Sequence, residues 1–205
     1  MKVRFEYSII VFLMSFLFGN DHSVLFALII CATIHEAGHL ICAKILKIKI
    51  REIVIDIGGA KIYPYSNTYP YSHELLLSFS GPLANIICVF VIRLVCDETR
   101  YLQNIAKDSE NGALTFIELI LVFSLLQSFL NLLPISNLDG GRILKCILCI
   151  LFSQRIGQIF IRITTIIFAI ILWIISVYFL MGSGSGISLF VFSICMFFKI
   201  FESGE

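Results

Sequence analysis

From about residue 24 to 46 the chain is almost uninterruptedly apolar, long enough to cross a bilayer as a helix, for which about 20 residues suffice. Further runs of span length lie at about 75–96, 113–133 and 157–181, with shorter ones at about 7–19 and 187–201. In hydrocarbon every backbone N–H and C=O must be satisfied within the protein, so such runs fold as helices. Composition agrees: 59% of the 205 residues are hydrophobic and the mean hydropathy is +0.97, against roughly 45–50% apolar residues in a soluble domain. The expected fold class is an all-α polytopic membrane protein of six transmembrane helices. Lys2 and Arg4 ahead of the first run resemble the start of a signal peptide, but Phe16–Asn20 offers no pair of small residues for cleavage.

The net charge of +1 gives no electrostatic case for nucleic acid. With six spans and a cytoplasmic N-terminus, eleven of the fifteen Lys and Arg residues fall inside. The positive-inside rule then favours both termini in the cytoplasm, as in a multi-pass protein of a bacterial cell membrane. Five of the seven cysteines lie in or at the ends of these apolar runs and Cys146 and Cys149 on a shorter apolar stretch, which argues against a disulfide framework. The Cys146–Cys149 pair is read as packing rather than a redox or metal motif.

Segment 48–65, IKIREIVIDIGGAKIYPY, departs from this pattern: it is rich in Ile and Val, interrupted by charges and broken by Gly58 and Gly59. It reads as a small membrane-associated β-hairpin at the cytoplasmic surface, covered by protein, with no partner strand elsewhere and an edge free for a guest. The polar stretch at about 97–112 is expected outside and carries no recognisable chemistry. No repeat or long linker is visible, so residues 1–205 read as one domain.

Within the first long run stands HEAGH, residues 35–39. His35 and His39 are one helical turn apart on one face and can reach one metal ion. Glu36 holds the place at which HExxH puts a general base, and zinc lowers the pKa of a water ligand to about 7. This composition would produce such a pattern by chance only about 0.003 times, and ionisable groups inside a span are expensive and usually functional. A catalytic zinc takes three protein ligands and a water. His22, in an expected external loop, and His73, before the third span, are poorly placed to be the third. NLLPISNLDGGRIL, 131–144, offers Asp139 on a helix break made by Pro134, Gly140 and Gly141. The competing reading makes Asp139 a cap for a helix beginning near Arg142.

With HEAGH at 35–39, SGPLAN at 80–85 and NLLPISNLDGG at 131–141 on separate runs, the chain resembles the site-2 protease family of intramembrane zinc metalloproteases. Six spans and a short N-terminus resemble its sporulation-type branch. No CBS or PDZ domain is expected. The resemblance implies that His35, His39 and Asp139 bind Zn2+, that Glu36 is general base and later acid, and that Asn131 holds the substrate backbone or oxyanion. Gly81, Pro82 and Asn85 match the second motif; on their own they read as close packing and a helix break, and a direct part for Asn85 stays open. The implied function is cleavage of a membrane-associated protein near the cytoplasmic face, releasing a cytoplasmic fragment such as a sporulation sigma factor precursor. The expected partners are that substrate, the bilayer and regulatory membrane proteins. The rival classes are an inactive scaffold, which would not need Glu36, and a metal transporter, which would show ligands along a path.

Overall fold

The computed structural model describes residues 2–5, 22–56, 59–64, 70–98, 116–183, 190–191 and 193–195. The elements run β1 (Lys2–Phe5), α1 (His22–Ile45), β2 (Ile50–Asp56), β3 (Gly59–Pro64), α2 (Tyr71–Glu98), α3 (Phe116–Asn131), α4 (Asp139–Leu151) and α5 (Gln154–Ser183). Three stretches are long and apolar enough to cross a membrane: His22–Ile45, Tyr71–Val95 and Gln154–Met181. Of the fourth expected span, 113–133, helix α3 takes up Phe116–Asn131, 16 residues or about 24 Å at 1.5 Å per residue, and residues 113–115 lie outside the described residues. The helix ends at Asn131, three residues before Pro134. The runs at 7–19 and, for the most part, 187–201 lie outside the described residues.

The packing separates small polar residues from large apolar ones. Ala27, Cys31, Ala43, Ser78, Asn85, Ser124 and Ser128 are buried, whereas Phe26, Phe90 and Phe129 are each at least 60% exposed. A lipid-facing exterior requires the large side chains outside, and close helix contact requires the small ones inside. Gly38 illustrates the second point: a Cβ there would stand 2.5 Å from the Ser80 carbonyl oxygen and 2.7 Å from the Ala84 Cβ. Helix α1 packs against α2 and α3, α2 also packs on α3 and α4, and α4 on α5.

Helix α1 ends where the Ile48 N–H reaches back to the Ala43 carbonyl at 2.9 Å. That closure needs a left-handed residue, and Lys47 takes it with φ 55°. The chain then enters a sheet in the order β1-β2-β3. Strands β2 and β3 pair antiparallel, with Ile53 opposite Ile62 and Asp56 opposite Gly59; Gly58 lies outside the described residues. The fold is mostly helical, and the sheet corrects one expectation: β2 does have a further partner, since β1 pairs parallel to it from Lys2 opposite Glu52 to Phe5 opposite Ile55. Four residues alternating Lys, Val, Arg and Phe are too few for a period-two pattern to stand out, and a parallel partner comes from far along the chain. Arg4 and Glu52 add an ion pair at 3.5 Å. Strand β2 is therefore central, and β3 forms an edge among the described residues.

Candidate metal centre

His35 and His39 project from the middle of α1 toward the place where α2, α3 and the start of α4 meet. Both are at least 96% buried. Their Nε2 atoms are 3.2 Å apart, and the Asp139 Oδ2 lies 3.0 Å from the first and 3.2 Å from the second. The sequence separation is about a hundred residues; the break after α3 closes it. Past Asn131 the chain tightens through turns, with Leu132 N–H to Ser128 O at 3.1 Å, Ile135 N–H to Leu133 O at 2.8 Å and Leu138 N–H to Ile135 O at 2.9 Å. Helix α4 then starts at Asp139 itself, and the cap position belongs to Leu138, which makes no side-chain cap bond. The capping reading of Asp139 therefore fails: its carboxylate turns to the histidines.

Two glycines and a threonine hold that geometry. A Cβ on Gly140 would collide with the Leu132 carbonyl and one on Gly141 with the Ile135 carbonyl, so only glycine lets the first turn of α4 rest on the broken segment. The Ser136 N–H donates to the Thr165 Oγ1 of α5 at 2.8 Å, and Thr165 donates in turn to the Ile161 carbonyl at 2.6 Å. Ile135 and Leu138 pack with Phe168 and Leu172 of α5. Nothing in the sequence signals this role for Thr165.

The SGP stretch of α2 shapes the opposite wall. Pro82 sits inside the helix and has no N–H to give the Ser78 carbonyl. In the turn before it, the Leu77 carbonyl accepts a hydrogen bond from the His39 Nδ1 at 2.7 Å and another from the Ser80 Oγ at 2.6 Å. A ring that donates through Nδ1 presents the lone pair of Nε2 to a metal. Gly81 lies over the two imidazoles: a Cβ there would collide with the His39 Nε2 and stand 2.6 Å from the His35 Nε2. Gly81 thus keeps open the space that the ligand atoms face. A Gly-Pro pair inside an apolar run was the available signal, and packing alone undervalues it.

The Asn131 Nδ2 lies 3.0 Å from the His35 Nε2, so this amide joins the cluster. Glu36 is half-buried on the same turn of α1. His35, His39 and Asp139 are the one group of three metal-type donors among the described residues, their ligand atoms all within 4.8 Å of one another; Cys146 and Cys149 belong to no such group. Ligand atoms about 2.0–2.1 Å from a tetrahedral zinc lie roughly 3.3 Å from each other. The separations of 3.0–3.2 Å fit that ion closely. Two imidazoles and one carboxylate also leave a fourth position for water or substrate.

Fold and cluster together define a helical membrane-type protein built around a donor set suited to zinc. A match to peptidase family M50 extends over residues 23–175, and the chain belongs to that family. A zinc metalloprotease of Methanocaldococcus jannaschii is 32% identical over 139 residues, covering 67% of this chain and 37% of the relative. Stage IV sporulation protein FB of Bacillus subtilis is 29% identical over 133 residues, covering 64% and 41%. The chain thus matches about two fifths of the length of these relatives. The solved structure of a site-2 protease from Methanocaldococcus jannaschii superposes with a TM-score of 0.71 at 20% identity, over 99% of this chain and 90% of that one. At that identity the likeness speaks for the fold.

Proposed function

We propose that this chain is an intramembrane zinc endopeptidase that cuts a membrane-associated protein near the cytoplasmic face and releases a cytoplasmic fragment. The observation that carries the reading is the Asp139 Oδ2 standing 3.0 and 3.2 Å from the Nε2 atoms of two buried histidines on another helix. His35, His39 and Asp139 would hold Zn2+. When bound there, zinc supplies Lewis-acid activation of water and of the scissile carbonyl. Glu36 takes the proton of the attacking water and returns it to the leaving amine. The His35 Nε2 has one lone pair; once that pair is a ligand, the Asn131 N–H is released to hold the developing oxyanion or the substrate backbone.

A transmembrane substrate hides its carbonyls in its own helix and must unwind to be cut. An unwound segment pairs with the outer edge of β3, where main-chain hydrogen bonds supply affinity. The basic residues at the sheet end of α1, Lys44, Lys47, Lys49 and Arg51, favour the cytoplasm for that end by the positive-inside rule, which with six spans supports both termini on the same side. We read residues 1–205 as a single domain. The finer reading, release of a sporulation sigma factor precursor, is supported by similarity to a protein named for stage IV of sporulation. A transporter would spread its ligands along a path; the described residues hold one cluster.

The test is zinc content together with cleavage of a membrane-anchored reporter. Wild-type protein should hold one zinc per chain and cut. Glu36→Gln keeps the size of the side chain but removes the base, so it should retain the zinc and lose at least about 100-fold in rate. Wild-type protein without zinc, or an active Glu36→Gln variant, would refute the proposal.

A further inference from the structure

The two histidines are not equally supported. The His39 Nδ1 has the Leu77 carbonyl at 2.7 Å, whereas the His35 Nδ1 is buried with no hydrogen-bond partner among the described residues. If Nε2 binds a metal, Nδ1 carries the proton, and a buried N–H without an acceptor carries an uncompensated desolvation cost. Metal-bound histidines almost always donate that second N–H to a carboxylate, carbonyl or water. His35 therefore lacks an acceptor.

Asn85 has the complementary deficit. It is fully buried, its Nδ2 donates to the Gln127 Oε1 at 3.3 Å, and its Oδ1 has no partner. The packing puts it at the level of His35. Along the α1–α2 contact, His39 meets Leu77, Gly81 lies over both histidines and Gly38 meets Ala84, so the helices run antiparallel and Asn85, one turn beyond Gly81, lies toward the turn of α1 that carries His35. Helix α3 brackets the same level. Its Asn131 meets His35 and its Ser124 meets Cys31 at 3.3 Å, and Gln127, the partner of Asn85, lies between them.

We propose that Asn85 is a positioning residue of the metal centre: its Oδ1 accepts the Nδ1–H of His35, directly or through one buried water. The bond to Gln127 engages the amide's nitrogen end and leaves the oxygen end for this task. Each histidine then has its own support from α2, a backbone carbonyl for His39 and a side-chain carbonyl for His35. At membrane depth a polar side chain with an unused acceptor is expensive, and this pairing removes both orphans at once.

The inference rests on the zinc reading above, and the experiment separates the two. Zinc affinity is measured by chelator competition on purified full chain in micelles, for wild type, Asn85→Leu and Asn85→Asp, with the metal-free melting temperature as a check on folding. Leucine matches the volume and removes the acceptor; aspartate keeps an acceptor oxygen. Asn85→Leu should bind zinc about 10–100-fold more weakly, while Asn85→Asp stays within about threefold of wild type. Equal affinity of wild type and Asn85→Leu, or equal losses in both variants, would overturn the inference and leave the zinc site standing. Absence of zinc from the wild type would remove both. A second measurement needs no variant and covers a failure of Asn85→Leu to fold. In zinc-loaded protein with 15N-labelled histidine, the Nδ1 protons of His35 and His39 should both resonate at hydrogen-bonded positions. A His35 proton at the position of a free N–H would equally overturn it.

Discussion

A carboxylate between two imidazoles, all three buried, has few ways to be satisfied other than shared protons or a cation. Asp139 makes no cap and reaches both Nε2 atoms through one oxygen. Asp139→Asn should therefore lower zinc affinity by more than about 100-fold, since a neutral amide is a poor zinc ligand; normal zinc content would remove Asp139 from the site. Gly81 gives a complementary prediction. Its missing side chain is the clearance over both Nε2 atoms, so even Gly81→Ala should reduce zinc affinity at least about tenfold, measured by the same competition. Unchanged affinity would reduce Gly81 to helix packing. At this scale much of the site was legible in the sequence, because HEAGH fixes its own geometry through the helical turn. Asp139 on the break at Pro134 stood open between a ligand and a helix cap, and its ligand role came from the resemblance. The Leu77 carbonyl was invisible, since a backbone acceptor leaves no residue type to read, and Thr165 looks like any other residue of an apolar helix.

Among the elements, the sheet alters the account most. Runs of span length reveal helices because length and hydrophobicity alone define them, and α1, α2 and α5 appear where the sequence places them. A four-residue strand has no such signature. With β1 on one side of β2, a guest strand cannot pair with β2, and β3 offers one edge of the sheet among the described residues. Successive residues of an edge strand point their N–H groups alternately into the sheet and away from it. A proline scan of residues 60–63 should show that period. At positions whose N–H points outward, cleavage of a membrane-anchored reporter should fall at least about tenfold relative to alanine at the same position, with zinc retained. At the alternate positions proline breaks the ladder to β2 and should disturb the sheet itself. Equal tolerance of proline and alanine at all four would rule out strand addition at β3.

For the whole molecule, the distribution of side-chain size carries the energetics. Large apolar side chains face outward and small or polar ones hold the helices together, the reverse of a water-soluble core. In lipid an outward phenylalanine gains little over alanine, because acyl chains fill the space it leaves; in a soluble core the same truncation costs about 3–5 kcal/mol. Close contact between α1 and α2, by contrast, depends on there being no side chain at Gly38, where a Cβ would meet the Ser80 carbonyl oxygen at 2.5 Å. Phe90→Ala, at a site 63% exposed, should therefore change the unfolding free energy in bicelles by less than about 1 kcal/mol. Gly38→Leu should cost at least about 3 kcal/mol, because the overpacked partner is backbone and cannot swing aside. The second change should also lower zinc affinity, since the α1–α2 contact that it opens sets the Leu77 carbonyl against His39 and Gly81 above both imidazoles. Comparable losses for the two substitutions would mean that the outward face is covered by protein rather than lipid, and the membrane orientation of these helices would have to be redrawn.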